Sequence, residues 1–165
     1  MMVREIQLED TENLVTLMKS VEASSQFMMM GEGERKTSPQ QLRVQIEKIK
    51  EAGNSTIIVA EKDGQLTGYL FAIGGNVKRT RHSAYIAIGI SEYHRGKGIG
   101  KALFEKVEEW ASNNGIIRLE LTVVTQNVAG VALYKKRGFE IEGTKRKSIG
   151  IDGEFFDEYY MSKLL

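Results

Sequence analysis

A glycine-rich segment, Tyr93–Gly100, is the part of the sequence whose residue types and spacing point most directly to chemistry. It lies between a strand-like run, Tyr85–Ile90, and a helical run, Ile99–Ala111. Glycines at alternate positions leave several backbone N–H groups unshielded at the start of a helix, where free amides and the helix dipole together attract anions. Three cationic side chains accompany the turn: Arg95, Lys97 and Lys101. The segment therefore predicts a binding site for a di- or polyphosphate group.

Two familiar phosphate-binding loops do not fit this segment. The dinucleotide fingerprint requires glycine at position 101, which is Lys101. The nucleoside-triphosphate loop requires Ser or Thr where the chain has Ala102, and glycine where it has Arg95. The pattern that does fit is Arg-x-x-Gly-x-Gly, formed by Arg95, Gly98 and Gly100.

With this pattern the chain resembles the GNAT superfamily of acetyl-CoA-dependent N-acetyltransferases. In that family the pattern joins a central strand to a helix and binds the pyrophosphate of coenzyme A. The resemblance implies that the whole turn binds the cofactor, through Arg95, Gly96, Lys97, Gly98, Ile99, Gly100 and Lys101. Taken alone, the segment is also compatible with a strand-to-helix turn that binds nothing.

A second segment, residues 125–139, resembles another motif of the family. Asn127 is a suitable N-cap, and Gly138 suits the position after the helix C-terminus. Tyr134 follows Asn127 by nearly two turns, so both side chains project to the same side of the helix, about 10 Å apart. The resemblance makes Tyr134 the acid that protonates the leaving thiolate and Asn127 a cofactor-binding residue. Alone, the segment would be an ordinary capped helix with a half-buried tyrosine.

Hydrophobic periodicity predicts the order β-α-α-β-β-β-α-β-α-β-β. The predicted strands are Val3–Leu8, Thr56–Ala60, Leu66–Ile73, Arg81–Ile90, Ile117–Val123, Phe139–Ile149 and Phe155–Met161. The predicted helix starts are Asp10, Ser38–Pro39, Ile99 and Asn127. The resemblance assembles these elements into a mixed α/β (α+β) fold of the GNAT type: a single domain, residues 1–165, with a twisted sheet of about seven strands flanked by four helices.

In that fold the sheet is splayed between the fourth and fifth strands, and the cofactor lies in the splay. The resemblance implies that the fourth strand offers the main chain of Ile88, Gly89 and Ile90 to the pantetheine arm. Isoleucines alternating with small residues predict that this strand is buried on both faces. Gly89 permits close approach of a ligand or another backbone, or else marks a bulge.

Composition narrows the remaining functions. The chain has 23 basic and 22 acidic residues and a net charge of +1, which predicts neither a nucleic-acid nor a membrane-surface partner. Without cysteine it has no disulfide, thiolate metal site or cysteine acyl carrier, and we predict no metal. The charged N-terminus lacks an apolar signal core, and no apolar run is long enough to span a bilayer, so we expect a cytoplasmic protein.

The resemblance predicts transfer of an acetyl group from acetyl-CoA to a primary amine by direct attack in a ternary complex. The acceptor stays open among a protein N-terminus, a polyamine and a small amine. The general base is open too, because Glu92, His82, Glu32 and Glu34 match no family motif, and Thr122 lies where relatives that acetylate ribosomal proteins carry an acid. A non-catalytic acetyl-CoA sensor or scaffold is the alternative function. The apolar last strand could pair between subunits in a homodimer.

Overall fold

The structure, a computed structural model, describes residues 1–165 as one mixed sheet with four helices. The strands are β1 (Met2–Glu5), β2 (Thr56–Lys62), β3 (Gln65–Gly74), β4 (Ser83–Ile90), β5 (Arg118–Val124), β6 (Glu140–Ile151) and β7 (Glu154–Leu164). The helices are α1 (Thr11–Ser24), α2 (Pro39–Ala52), α3 (Ile99–Asn113) and α4 (Val128–Lys136). The seven-stranded sheet has the order β1-β2-β3-β4-β5-β7-β6, with β4 and β5 parallel and every other pair antiparallel. The predicted fold class is confirmed.

Local signals position α2 as predicted. The Ser38 hydroxyl accepts a hydrogen bond from the Gln41 N–H at 3.1 Å, and the Gln41 side chain accepts from the Ser38 N–H at 2.9 Å. Pro39 occupies the first helical position and Gly53 ends the helix in the left-handed region, with φ 77°. Each residue satisfies or removes a backbone group that the helix leaves unpaired.

The start of α1 departs from the prediction in its details. Asp10 does precede the helix, but its carboxylate accepts from the Gln7 N–H and from the Arg4 guanidinium rather than from α1. A short 3₁₀ turn, Leu8–Asp10, replaces the end of the predicted first strand. The charged guanidinium competes successfully with the helix amides because charge-assisted hydrogen bonds are stronger than neutral ones.

The two faces of the sheet are covered differently. One apolar cluster packs α3 against the sheet and includes Leu103, Phe104 and Leu119, and a second packs α1 and α2 against β2 and β3. The prediction that β4 is buried on both faces is wrong: Tyr85 is 39% exposed and Ala87 is exposed as well. That face of β4 stays open because α1 and α2 cover the neighbouring strands instead.

The fourth and fifth strands separate shortly after they meet. Their parallel register comprises only Ser83, Ala84 and Tyr85 opposite Arg118, Leu119 and Glu120. Beyond Tyr85 the strands diverge toward the glycine-rich turn, which produces the predicted splay.

The last strand is not available for pairing between subunits. β7 lies between β5 and β6 and is paired along both edges, so the outer strands of the sheet are β1 and β6. The predicted route to a homodimer through β7 is therefore wrong. No helix has the length and apolar character required to cross a membrane.

Candidate active site

The glycine-rich turn presents a row of free amides. Backbone N–H groups of residues 95–101 donate to no acceptor within the chain. Gly96 and Gly98 have φ values of 72° and 83°, and a Cβ at either residue would meet open space. Glycine is needed at both positions for backbone conformation rather than for room. Because Gly98 is the N-cap of α3, the free N–H groups and the positive end of the helix dipole coincide.

The cationic residues of the turn have different surroundings. The Arg95 guanidinium donates to the Ile90 carbonyl oxygen at 3.3 Å and to the Ser24 hydroxyl at 3.1 Å, and so joins the turn to the last residue of α1. The Lys101 Nζ lies 3.7 Å from the Glu105 Oε1, and both side chains of this ion pair are exposed. Lys97 is exposed and forms no ion pair, which leaves its charge available to a ligand.

Gly100 has a different role from the other two glycines. A Cβ at this position would lie 2.9 Å from Leu133 Cδ2, so its absence allows the start of α3 to approach α4 closely. The turn is thereby fixed against the helix that carries Tyr134.

Hydrogen-bond alternation determines which main-chain groups of β4 face the splay. The Ser91 N–H donates to the Thr67 carbonyl oxygen, and the Gly75 N–H donates to the Ser83 carbonyl oxygen. In an antiparallel ladder every second residue bonds the partner strand, so the odd-numbered residues of β4 bond β3. The even-numbered residues, Ile86, Ile88 and Ile90, turn their N–H and C=O groups toward β5.

The same reasoning applies to β5. The Thr125 N–H donates to the Asp157 carbonyl oxygen and the Leu165 N–H donates to the Ile117 carbonyl oxygen, so the odd-numbered residues of β5 bond β7. The main chain of Thr122 therefore faces β4 across the splay. Both walls of the splay offer free backbone donors and acceptors, apart from the Ile90 carbonyl oxygen, which accepts from Arg95.

Gly89 lies in a regular ladder opposite Tyr69, without a register shift. A Cβ here would lie 2.4 Å from Tyr69 Cζ, so the missing side chain makes room for the tyrosine ring. Gly89 therefore does not mark a β-bulge, which was the alternative that the sequence allowed. Among the three predicted main-chain contacts, Ile88 and Ile90 face the splay directly, whereas Gly89 bonds β3.

Tyr134 lies on α4 with only 9% of its surface exposed. Its ring packs edge-on against Phe104 and also contacts Phe139. The hydroxyl forms no hydrogen bond within the chain, and it retains some accessible surface. Burial, and to a smaller extent the nearby Tyr85, raise the pKa of Tyr134 to about 12. Tyr85 itself belongs to the last register pair before β4 and β5 separate.

Asn127 is the N-cap of α4, as predicted. Its Oδ1 accepts from the Gly130 N–H at 3.0 Å. A Cβ at Gly130 would lie 2.6 Å from the Asn127 amide nitrogen, so glycine is required for the cap to close. The Asn127 amide nitrogen donates to no atom of the chain and is available to a ligand.

The open face of β4 and β5 contains a pocket that the sequence did not reveal. It has a volume of about 330 Å³ and is lined by Tyr85, Arg118, Glu120, Leu121, Thr122, Glu142, Tyr160 and Met161. The hydroxyls of Tyr85 and Thr122 hydrogen-bond at 2.7 Å across the start of the splay. A neighbouring cavity of about 380 Å³ shares Tyr85, Arg118 and Glu120, and it extends the groove toward His82.

Polar alternation along β5 was a usable signal for part of this pocket. Arg118, Glu120 and Thr122 alternate with buried leucines, which places them on one face. Glu142 had no comparable signal, because it occupies a register shift of the β6–β7 ladder and reaches Arg118 from a distant part of the chain.

The candidate bases are not assembled into one cluster. Glu34 accepts from the Gly31 N–H at 2.8 Å within the α1–α2 connection, and Glu32 is exposed there. Glu92 is exposed on a short 3₁₀ turn after β4. Only His82 lines the groove beside Tyr85.

Comparisons with known proteins agree with this geometry. The family model for the acetyltransferase (GNAT) family matches residues 20–139. The structure of a GNAT-family acetyltransferase from Streptococcus pneumoniae superposes with a TM-score of 0.96 at 31% identity, over 99% of each chain. An L-amino acid N-acetyltransferase, AaaT of Escherichia coli, is 35% identical over 108 residues, which are 65% of this chain and 67% of the relative. A phosphinothricin acetyltransferase from Sinorhizobium meliloti, crystallised in complex with AcCoA, has a TM-score of 0.88 at 21% identity, over 99% of this chain and 88% of that one, and shows the shared fold.

The amide-lined turn, the splayed sheet and the sequence matches together define the class of protein. The chain belongs to the acetyltransferase (GNAT) family, and its enzyme class is that of the N-acetyltransferases.

Proposed function

We propose that this enzyme transfers the acetyl group of acetyl-CoA to a primary amine, by direct attack of the amine within a ternary complex. One observation carries the proposal: seven consecutive free N–H groups, residues 95–101, lie at the N-terminus of α3 where the splay between β4 and β5 opens. A pyrophosphate satisfies several such donors at once.

The remaining contacts follow from the direction of the splay. With the phosphates at the turn, the pantetheine arm runs between the strands, where the main chain of Ile88 and Ile90 meets its amide groups and Gly89 lies alongside. Asn127 supplies a free amide nitrogen from the other side. The acyl end then reaches the point where β4 and β5 rejoin, next to Tyr134 and Tyr85.

Acetyl-CoA supplies an activated thioester carbonyl. The amine nitrogen forms the new C–N bond as the C–S bond breaks, and Tyr134 donates its hydroxyl proton to the departing sulfur. The nitrogen loses one proton, which returns to Tyr134 through solvent, so the products are an amide and a free thiol. The acceptor must attack as the neutral amine, and neutralising an amine of pKa about 10.4 at pH 7 costs roughly 4.6 kcal/mol.

A coupled measurement tests the function. Calorimetric titration with acetyl-CoA, followed by a thiol-release assay with peptides, polyamines, amino acids and aminoglycosides, should show binding and release with at least one amine class. Binding of acetyl-CoA and of desulfo-CoA with no thiol release from any amine would favour the sensor instead. Failure of both ligands to bind would contradict both functions.

A further inference from the structure

The pocket of about 330 Å³ beside the splay is called the acceptor pocket from here on. The charges of its side chains indicate which class of substrate it would bind. Its charged side chains are two carboxylates, Glu120 and Glu142, and one guanidinium, Arg118, which leaves one net negative charge. Tyr134 is a second and independent observation: nine-tenths of its surface is buried, its hydroxyl has no hydrogen-bond partner in the chain, and Tyr85 of the pocket wall contributes to its raised pKa.

Arg118 is already committed to the two carboxylates. Its Nε donates to Glu120 at 2.8 Å, and its two terminal nitrogens form a bidentate pair with Glu142. Arg118 lowers the pKa of Glu142, so this carboxylate is ionised at neutral pH. A carboxylate on the acceptor would have to displace Glu120 or Glu142 from the guanidinium and would lie beside the one that remained.

The aromatic side chains of the pocket suit the opposite charge. Tyr85 and Tyr160 are 39% and 45% exposed, and both line the cavity. Ring faces attract alkylammonium groups, and the neighbouring carboxylates add to that attraction. Glu120 lies on β5 beside the splay, whereas Glu142 lies on β6 farther from it, so an acceptor can extend from the reaction centre toward a second negative group.

We propose that the acceptor pocket selects amines that carry a second cationic group and no carboxylate next to the reacting nitrogen, the chemical class of diamines and polyamines. The inference rests on the proposed acetyl transfer, which supplies the position of the reacting nitrogen. In the bound complex the neutral amine faces Tyr134 and the thioester, and the second ammonium group lies against Glu142 and the Tyr160 ring.

The test compares kcat/KM for 1,4-diaminobutane and butylamine, and for L-alaninamide and L-alanine, by release of free thiol from acetyl-CoA. Each ratio is measured in the wild type, in Glu142→Gln and in Glu120→Gln. Comparing ratios between proteins cancels the intrinsic reactivity of each amine. The matched control is Glu109→Gln, because Glu109 is also an exposed, ion-paired carboxylate but lies on α3, on the other face of the sheet.

We expect the preference for the diamine to fall about tenfold in Glu142→Gln, as loss of a nearby opposite charge implies, and to persist in Glu109→Gln. L-Alanine should gain relative to L-alaninamide in Glu142→Gln, because Arg118 is then free to pair with a carboxylate. A second readout avoids turnover: calorimetric titration of diaminobutane and butylamine into the enzyme saturated with CoA should show the same loss of preference.

The inference is overturned if thiol is released but the diaminobutane-to-butylamine ratio of kcat/KM is the same in the wild type and in both pocket variants. The proposed function would still stand in that case. No thiol release with these four amines or with any amine of the wider panel overturns the proposed function. In that case the calorimetric comparison still decides whether the pocket prefers a second cation.

Discussion

Tyr134 has an apolar ring in the core and a hydroxyl that is free to interact with a ligand. Its ring is packed between Phe104 and Phe139 in the core, while its hydroxyl lacks a hydrogen-bond partner in the chain. Because the hydroxyl retains accessible surface and has no competing partner in the chain, it is free to donate a proton to a ligand, which fits a role in proton transfer.

Replacing Tyr134 by Phe should lower kcat by about 10²- to 10⁴-fold, the range typical for loss of a general acid, and leave the affinity for acetyl-CoA nearly unchanged. The thermal midpoint should not fall, because the ring contacts persist. Thiol release and calorimetry measure the two quantities. The control is Tyr159→Phe, a half-buried tyrosine packed against the same core. Unchanged turnover in Tyr134→Phe would remove this residue from the mechanism.

The pH profile gives an independent check. An acid must be protonated to act, and burial raises the pKa of Tyr134 to about 12, so it stays protonated throughout the accessible range. We expect kcat/KM to rise with pH as the acceptor loses its proton, and not to descend below about pH 11. A profile recorded from pH 6 to 10 with a descending limb near pH 9 would contradict Tyr134 as the acid.

Gly98 offers a test of the amide-lined turn with a closely matched control. Gly98 and Gly115 flank α3, both have φ above 70°, and a Cβ at either would meet no neighbour. Substituting Ala at either position should cost a similar free energy of unfolding, about 1–2 kcal/mol, from backbone strain alone. Only Gly98→Ala should also weaken acetyl-CoA binding, measured by calorimetry. Equal affinity in the two variants would mean that phosphate does not bind at this turn.

Among the elements, the connection between α1 and α2 depends on one buried ion pair. Arg35 forms a bidentate pair with Glu22, whose side chain is 3% exposed, with N···O distances of 2.8–3.0 Å. Phe27 in the same connection packs edge-on against Phe156 of β7. These contacts hold the connection beside the sheet.

Arg35→Met should lower the free energy of unfolding by about 3–5 kcal/mol, because it leaves the Glu22 carboxylate buried and unpaired. The double variant Glu22→Leu/Arg35→Met should recover much of that loss, since it removes both charges together. Denaturant unfolding measures both values. A double variant less stable than Arg35→Met would show that packing of the side chains, rather than the unpaired charge, dominates.

Local chemistry explains which elements the sequence could predict. The bounds of α2 could be predicted from Ser38, Pro39 and Gly53, because a cap acts on backbone groups within a few residues. Asp10 was predicted to cap α1, but a guanidinium from β1 takes its carboxylate. The free amides of the turn were anticipated from glycine spacing, whereas the acceptor pocket depends on Arg118 meeting Glu142 across a bulged ladder, which no local pattern encodes.

For the whole molecule, the splay divides the sheet into two groups of strands. β1 to β4 form one group and β5, β7 and β6 form the other, and only three register pairs of β4 and β5 join their ladders. Apolar packing of α3 against both groups supplements this narrow junction.

Hydrogen exchange should reveal the splay directly. The N–H groups of Ile88 and Ile90 lie beyond the last β4–β5 register pair and face the gap, whereas those of Ala87 and Gly89 bond β3, so we expect faster exchange at these two isoleucines than at their neighbours. Acetyl-CoA should slow exchange at Ile88 more than at Gly89. Residue-resolved exchange measured by NMR provides the comparison, and equal rates along β4 would contradict the assigned alternation.

Each group of strands is drawn from an uninterrupted stretch of polypeptide, the first ending at Ile90 and the second beginning at Arg118. A break in the chain at the exposed turn around Gly115 would therefore leave every ladder within one fragment, except the short β4–β5 ladder that joins the two. Two fragments produced by such a break would meet through that junction and through the apolar packing of α3, so we expect a ligand bound in the splay to favour their reassembly.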